Sequence, residues 1–306
     1  MTEWPSLTLS EWEDTRDTVH LWTQIVGKIA LALGPMVNHW WQAALHVSER
    51  GLTTDLMHAG DRGVEIEFDF VDHQLQIRTT ADSERAVALE PRTVADFYAA
   101  TMTALDELGV HVSIRPRPVE LEVAIPFAED DTHRSYDPDA VHRFWLALVQ
   151  THKVMREFRS RFTGKHSPLN FWWGAFDLAS TRFSGRTAPR HPGGVPNCPD
   201  YVQVLAYSHE VYSCGFWPGG AEEGAFYAYA YPEPARFPEW SVAPAGAAYD
   251  PTFGEFLLPY QTVRTTADPE GTLLAFMEST YVAAATLGGW DRDTLEVRPL
   301  AEDSQS

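Results

Sequence analysis

The stretch 37–50, VNHWWQAALHVSER, and the stretch 169–182, LNFWWGAFDLASTR, decide how this chain is organised. They align without a gap at an offset of 132 residues. The aligned identical pairs are Asn38/Asn170, Trp40/Trp172, Trp41/Trp173, Ala43/Ala175, Ser48/Ser180 and Arg50/Arg182. Because tryptophan is a rare residue, a shared Asn-x-Trp-Trp core indicates an internal duplication.

The segments around the first copy predict a helix, strands and a second helix. The stretch before it carries apolar residues at helical spacing and predicts a helix that ends at Gly34. The motif itself predicts a long strand over 37–49, and the alternating residues 64–79 predict a hairpin. Thr93 begins the second helix.

The second half repeats this order and so predicts the fold class. Asp137-Pro138 begins a helix, a strand follows over 170–183, and Asp268 begins the last helix. Antiparallel strands grouped between helices predict an α+β fold. We expect an internally duplicated chain of two pseudo-twofold-related halves, each with antiparallel strands flanked by helices.

The polar, acidic stretch AEDDTHRS separates the two halves. We therefore expect a first repeat half at 1–127, a linker at 128–136, and a second repeat half at 137–306. The second half carries the candidate site, because its copy of the motif has gained polar groups.

Charge and composition restrict the partners. The chain has 306 residues and a formal net charge of −20, with acidic residues spread along its length. Such a field repels phosphate backbones and anionic lipids, so we expect neither nucleic acid nor a membrane as a partner. The negative field does not repel a neutral or cationic small molecule, so we expect a ligand of this kind. A solvated acidic surface without a ligand also explains the charge. The oligomeric state is left open.

The cysteine count and the N-terminus predict a cytoplasmic location. Cys198 and Cys214 are the only cysteines, which excludes a disulfide framework and favours a reducing compartment. The N-terminus lacks the basic start and apolar run of a signal peptide. No stretch reaches the ~18 apolar residues of a membrane span.

Asp177 is the clearest difference between the two copies, since it aligns with Leu45. On an alternating strand Asp177 shares a face with Trp173 and not with Arg182. A buried carboxylate needs a partner, so Asp177 is either a positioned acid, base or ligand or part of an ion pair between the halves. Arg182 is either an anion-binding guanidinium or a structural residue equivalent to Arg50.

The segment SHEVYSCGFWPGG (208–220) is the richest in reactive side chains. His209 is a candidate general base because the pKa of imidazole lies near neutrality. The sequence is equally consistent with a histidine that is hydrogen-bonded inside an aromatic core. His209 and Glu210 point to opposite faces of a strand. Cys214 is a candidate nucleophile only if a base lowers its pKa; the alternative is a buried free cysteine.

Histidines and aromatic rings suggest two further kinds of site. His166, His191 and His209 supply enough imidazole for a metal site, but none of their spacings is diagnostic. The cofactor is left open. A row of tyrosines at spacing two, with two tryptophans, predicts a ligand-binding wall, against the alternative of a ring-rich core. These five residues are Trp173, Trp217, Tyr227, Tyr229 and Tyr231.

Several stretches together resemble one bacterial family, catalogued as a domain of unknown function, number 5996. They are WPSL, NHWW, HSPLNFWWGAFDLASTRFSG, SHEVYSCGFWPGG, FYAYAYPEP and GEFLLPY. The resemblance covers nearly the whole chain and implies one full-length cytosolic module. It brings no activity and no catalytic residues.

The leading hypothesis is an enzyme that uses acid–base or hydrolytic chemistry on a small molecule in an aromatic-lined cleft, formed mainly by the second half. His209 would be the general base, and Asp177 and Arg182 would position the substrate or stabilise its charge. The alternatives are a non-catalytic small-molecule-binding module and a protein-interaction scaffold. The enzymatic hypothesis requires His209, Asp177 and Arg182 to converge around an open pocket.

Overall fold

The computed structural model describes residues 4–297, which form two antiparallel six-stranded sheets with helices packed beside them. The α+β fold class is therefore confirmed, and the shared order of elements is consistent with two similar halves. The helices are α1 (Leu9–Leu33), α2 (Val94–Glu107), α3 (Pro138–Ser160), α4 (Asp200–Ala206), α5 (Tyr260–Arg264), α6 (Pro269–Leu287) and α7 (Arg292–Leu295). Within the described residues, none of these helices combines the length and apolarity needed to cross a lipid bilayer.

The first sheet lies in the first half and contains the predicted hairpin. Its strands are β1 (His46–Val47), β2 (Gly51–Thr53), β3 (Met57–Ala59), β4 (Arg62–Asp69), β5 (Gln74–Thr79) and β6 (Ser83–Ala88). Their order is β1-β2-β4-β5-β6, with β3 paired to β4. Strands β4 and β5 pair with Val64 opposite Thr79, which confirms the hairpin.

The second sheet lies in the second half and has one face against helices. Its strands are β7 (Asn170–Trp172), β8 (Asp177–Thr187), β9 (His209–Trp217), β10 (Ala225–Tyr231), β11 (Ala248–Asp250) and β12 (Glu255–Pro259). Their order is β11-β12-β10-β9-β8-β7. On the helix-covered face, the Tyr212 hydroxyl on β9 donates to the Met277 carbonyl on α6 (2.9 Å). Neighbouring residues on each strand point to the opposite face.

The two copies of the repeated motif adopt different local structures. Residues 38–43 form a 3₁₀ segment, so the prediction of one long strand over 37–49 is wrong. His39 and Trp40 have φ angles of 60° and 56°, in the left-handed region that interrupts a strand. In the second copy a turn separates β7 from β8, which divides the predicted strand over 170–183. The duplication itself stays a prediction.

The aromatic rings of the two copies nonetheless stack on each other. The His39 ring lies 4.6 Å from the Trp172 ring, and the Trp40 ring lies 5.9 Å from the Trp173 ring, centroid to centroid. Both pairs are nearly parallel, at 16° and 12°. Parallel, offset rings attract through dispersion and quadrupole terms, so this contact joins the two halves.

A backbone bridge continues this contact between the sheets. Leu45 and Phe171 exchange two hydrogen bonds, of 3.0 Å and 2.7 Å, next to β1 and β7. The buried apolar residues of both halves also form one cluster. Within the predicted linker 128–136, Tyr136 is buried and its ring stacks 5.5 Å from that of Trp22. The boundaries at 127 and 137 stay predictions.

Gly27 on α1 has no side chain, and this leaves room for the Trp173 ring to pack against the helix. The contact can be tested by substitution. A Cβ atom at position 27 would overlap ring atoms of Trp173. Alanine favours a helix by about 1 kcal/mol over glycine. We still expect Gly27→Ala to lower the free energy of unfolding by about 1–3 kcal/mol, because the buried ring has to move. Chemical denaturation measures this change.

The control for this prediction is the double variant Gly27→Ala/Trp173→Leu. The smaller leucine removes the overlap, so the double variant should be destabilised by less than the sum of the two single changes. Additive effects would show that the glycine and the ring do not interact.

Candidate functional site

The open face of the second sheet forms the floor of a cavity of about 890 Å³. Ala179, Gly215 and Tyr227 lie side by side on β8, β9 and β10. The small residues on β8 and β9 leave space above the sheet, and the tyrosines of β10 rise along one side. A cavity of this size accommodates an organic molecule of drug-like dimensions.

The first half contributes the remaining walls. Helix α1, the 3₁₀ segment and Glu120-Leu121 all reach the cavity, while most of the lining belongs to the second half. The His20 side chain on α1 supports the turn that precedes β8, because its Nε2 lies 3.0 Å from the Gly174 carbonyl oxygen and its ring packs against Phe176. Burial lowers the pKa of His20 to about 4, so this imidazole is neutral.

Asp177 begins β8 and points into the cavity from its floor. Only 7% of the residue is exposed, and its Oδ2 atom accepts a hydrogen bond from the Tyr227 hydroxyl. Burial raises the pKa of Asp177 to about 7, because the charged form loses water, and the bond from Tyr227 offsets part of this rise. Asp177 is therefore a carboxyl group that titrates near neutral pH.

Glu120 and Glu255 are two further carboxyl groups in the lining. Burial, together with the charge of Asp177, raises the pKa of each to about 7. The Glu120 carboxylate fits against Gly174, where any side chain would overlap it. Within residues 4–297, neither glutamate forms an ion pair with a cationic side chain.

The tyrosine row of β10 forms a hydrogen-bonded wall with the loop before β9. The rings of Tyr227 and Tyr229 are nearly parallel, 6.1 Å apart, and the Tyr229 hydroxyl shares a 2.8 Å hydrogen bond with that of Tyr207. The His191 ring stacks on Tyr207 at 4.7 Å. Burial raises the pKa of Tyr227 and Tyr229 well above the ordinary value, so both phenols keep their protons.

Unusual backbone conformations concentrate around this cavity. Eight described residues other than glycine have a positive φ, and four of them line it: His39, Trp40, Glu120 and Phe176. Such conformations cost about 1–3 kcal/mol each and cluster at ligand sites and active sites. The pattern supports a functional role for the cavity.

The structure brings seven of the predicted residues to this one cavity. They are Asp177, His191 and the aromatic residues Trp173, Trp217, Tyr227, Tyr229 and Tyr231. The alternation along β10 places its three tyrosines on the same face of the strand, as the sequence predicts. Binding of a ligand by these rings stays a prediction.

Arg182 lies on the opposite face of β8, so its predicted grouping with Asp177 has to be corrected. It is 1% exposed, and its guanidinium carbon lies 3.4 Å from the ring centroid of Phe158 and 4.3 Å from that of Tyr281. The guanidinium also donates to the Phe158 carbonyl. The even and odd residues of a strand face opposite ways, and the core between β8 and α3 holds this arginine.

His209, Glu210 and Cys214 also lie away from the cavity. His209 is an exposed residue at the start of β9, and Glu210 pairs with Arg186 at 2.6 Å. Cys214 is fully buried beneath the helices, where burial raises the pKa of its thiol to about 12. The predicted catalytic group of His209, Asp177 and Arg182 is therefore not assembled.

The three predicted metal ligands are also separate. His191 lines the cavity, His209 is exposed, and the His166 Nδ1 lies 3.0 Å from Arg159 Nη2. No three His, Cys, Asp or Glu side chains among residues 4–297 are arranged to hold a metal ion. The histidines come from loops whose approach depends on the tertiary fold.

Sequence reasoning did not identify Glu120 and Glu255. Glu120 follows RPRP in the stretch VELEVA (119–124), whose alternation predicts a strand that the structure does not form, and its first-half position gives no sign that it lies near Asp177. Glu255 lies in GEFLLPY, one of the stretches that carry the family resemblance, and this was the available signal. Both residues become candidates only through their shared cavity.

Comparison with known proteins assigns the chain to a family. A model described as "Family of unknown function (DUF5996)" matches residues 4–297, nearly the whole chain. The chain belongs to this family, which confirms the resemblance seen in the sequence. No curated protein and no solved structure matches the chain. The function is therefore inferred from the site itself.

The raised carboxyl pKa values contribute a term to stability that falls as pH rises. Between about pH 4 and pH 7 the folded protein binds more protons at these groups than the unfolded chain does, so deprotonation favours unfolding. The lowered pKa values of His20 and His39 contribute with the opposite sign, but they do so equally in the wild type and in a carboxyl variant. We therefore expect the free energy of unfolding of the wild type minus that of Asp177→Asn to fall between about pH 4 and pH 7, by about 1.4 kcal/mol for each unit of pKa difference removed. Urea denaturation across this range measures both slopes.

Asp131→Asn is the matched control, since Asp131 is exposed and does not line the cavity. It makes the same change in net charge and should keep the slope of the wild type. Equal slopes for the wild type and Asp177→Asn would show that Asp177 titrates normally.

Proposed function

We propose that this protein is an enzyme that moves a proton to or from a small organic molecule bound in the cavity. Asp177 is the general acid–base. The observation that supports this proposal is a buried carboxyl group on the cavity floor with its pKa raised to about 7. A group with a pKa near the working pH both accepts and returns a proton efficiently.

Tyr227 acts as a positioning residue for this carboxyl group. Its hydroxyl donates to Oδ2 of Asp177, and no other side chain within residues 4–297 donates to this carboxyl group. Gly215 makes this arrangement possible, because a side chain there would collide with the phenol of Tyr227. Since the pKa of Tyr227 is raised well above its ordinary value, the phenol remains the donor throughout proton transfer.

The surroundings suit proton transfer because they combine aromatic walls with negative charge. The rings restrict water around Asp177, and a carboxylate with little hydration is a stronger base. Glu120 and Glu255 lie near enough to be influenced by the charge of Asp177. In this proposal Asp177 takes the role that the sequence suggested for His209.

Binding without turnover is the second candidate function. It is supported by the wall of Tyr207, Tyr227 and Tyr229, whose hydroxyls and ring faces suit an organic ligand without any chemical step. The two candidates differ in whether Asp177 changes a reaction rate.

A generic proton-transfer probe, 5-nitrobenzisoxazole, tests the enzymatic proposal. A base removes its ring C–H proton, the electron pair forms a nitrile, and the N–O bond breaks to give a coloured nitrophenolate. We expect the wild type to open this ring on the order of 10²-fold faster than Asp177→Asn. The rate should rise with pH and level off above about pH 7, as Asp177 ionises.

Two further variants make the test specific. Asp131→Asn has the same loss of charge at an exposed site and should keep the rate of the wild type. Tyr227→Phe removes a hydrogen bond that favours the ionised form, so the midpoint of the pH profile should move to higher pH. Equal ring-opening rates for the wild type and Asp177→Asn, at any level, would overturn the proposal.

A further inference from the structure

The cavity holds more negative groups than the protein itself neutralises. Its lining includes five carboxyl groups, from Asp17, Glu120, Asp177, Glu233 and Glu255. Among residues 4–297, the lining contains a single guanidinium, that of Arg16, which lies 2.7 Å from the Asp17 carboxylate and 3.6 Å from that of Glu13. This permanent cation is therefore already paired.

The histidines of the cavity do not supply the missing positive charge. Burial lowers the pKa of His20 and of His39 to about 4, and it also lowers that of His191. All three rings are neutral near pH 7. Glu120, Asp177 and Glu255 therefore face the cavity without a cationic partner among the described residues.

The aromatic lining selects the kind of cation that fits. The negative faces of tryptophan and tyrosine rings attract cations that carry apolar groups. Trp173 already interacts in this way with the protein's own Lys28, whose Nζ lies 5.8 Å from the ring centroid. A small metal ion requires several oxygen ligands at fixed short distances, and a cavity of about 890 Å³ with ring walls does not provide such a cage. The charge and the rings together favour an organic cation.

The unused hydrogen-bonding capacity of the carboxyl groups specifies the ligand further. The side chains of Glu120 and Glu255 accept no hydrogen bond from any residue within 4–297, and within the same range Tyr227 is the only side chain that donates to Asp177. These oxygens match the N–H donors of a protonated amine, whereas a quaternary ammonium has none. A charged donor bonded to a carboxylate gives a short, strong hydrogen bond.

We propose that the substrate of this site is a protonated organic amine, with its ammonium group at the carboxyl groups that Glu120, Asp177 and Glu255 present to the cavity and its apolar part against the tyrosine wall. The proposal rests on the proposed function, because it names the substrate class of the same cavity. A positive charge at this position stabilises the carboxylate forms, so the amine displaces protons as it binds. Binding is therefore coupled to proton release.

Isothermal titration calorimetry with phenethylamine and 2-phenylethanol tests this inference, since the two probes share a shape and differ in charge. At about pH 8 we expect the amine to bind about tenfold more tightly than the alcohol. Near pH 7, where the carboxyl groups are partly protonated, the apparent enthalpy of amine binding should change with the ionisation enthalpy of the buffer, which reports released protons. The preference should shrink at about pH 5.5, where the carboxyl groups are protonated.

Two double variants with the same change in net charge show which carboxyl groups cause the preference for the amine. Glu120→Gln/Glu255→Gln should remove most of the preference for the amine. Glu49→Gln/Glu84→Gln makes the same change in net charge at two exposed glutamates outside the lining and should keep it. Equal binding of amine and alcohol by the wild type, or an amine preference that survives in the Glu120/Glu255 variant, would overturn the inference.

Failure of this inference is distinguishable from failure of the enzymatic proposal. Ring opening that depends on Asp177, without a preference for the amine, would exclude the amine and retain the enzyme. A preference for the amine without Asp177-dependent ring opening would exclude the enzyme and retain an amine-binding site. Absence of both would exclude both.

Discussion

The stacked contact between the two Asn-x-Trp-Trp motifs is the constraint on which the rest of the structure depends. His39 lies on Trp172 and Trp40 lies on Trp173, and the backbone bridge between Leu45 and Phe171 continues the junction. This contact fixes the 3₁₀ segment of the first half above the sheet of the second half. The space that the two halves do not fill becomes the cavity, so the same rings that join the halves also line the site.

Strand β8 distributes the polar groups of the second half between two environments. Asp177 faces the cavity, where its carboxyl group meets Tyr227, whereas Arg182 faces the core, where aromatic rings surround its guanidinium. The arginine on the far face cannot neutralise the aspartate, because a whole sheet lies between them. Burial raises the pKa of Asp177, and because of the separation the guanidinium does not offset this rise. The cavity therefore stays acidic, which favours a positively charged ligand.

Features set by short-range periodicity could be predicted from the sequence, and features set by distant contacts could not. The hairpin of β4 and β5 and the shared face of Tyr227, Tyr229 and Tyr231 follow from alternation within one strand. The left-handed backbone conformation of His39 and Trp40 depends instead on the position of the second motif, which the local sequence does not specify. Glu120 comes near Asp177 only in the folded chain, so the local alternation of VELEVA (119–124) carried no signal for it. The cavity could thus be anticipated as an aromatic wall, but its three carboxyl groups could not.

The way the two halves share the cavity has a consequence for when the site is complete. Glu120 belongs to the end of the first half, Asp177 begins the first long strand of the second, and Glu255 comes from its last strand. A nascent chain therefore lacks the third carboxyl group of the cavity until most of it has been synthesised. A polypeptide that ends before Glu255 carries at most two of the three.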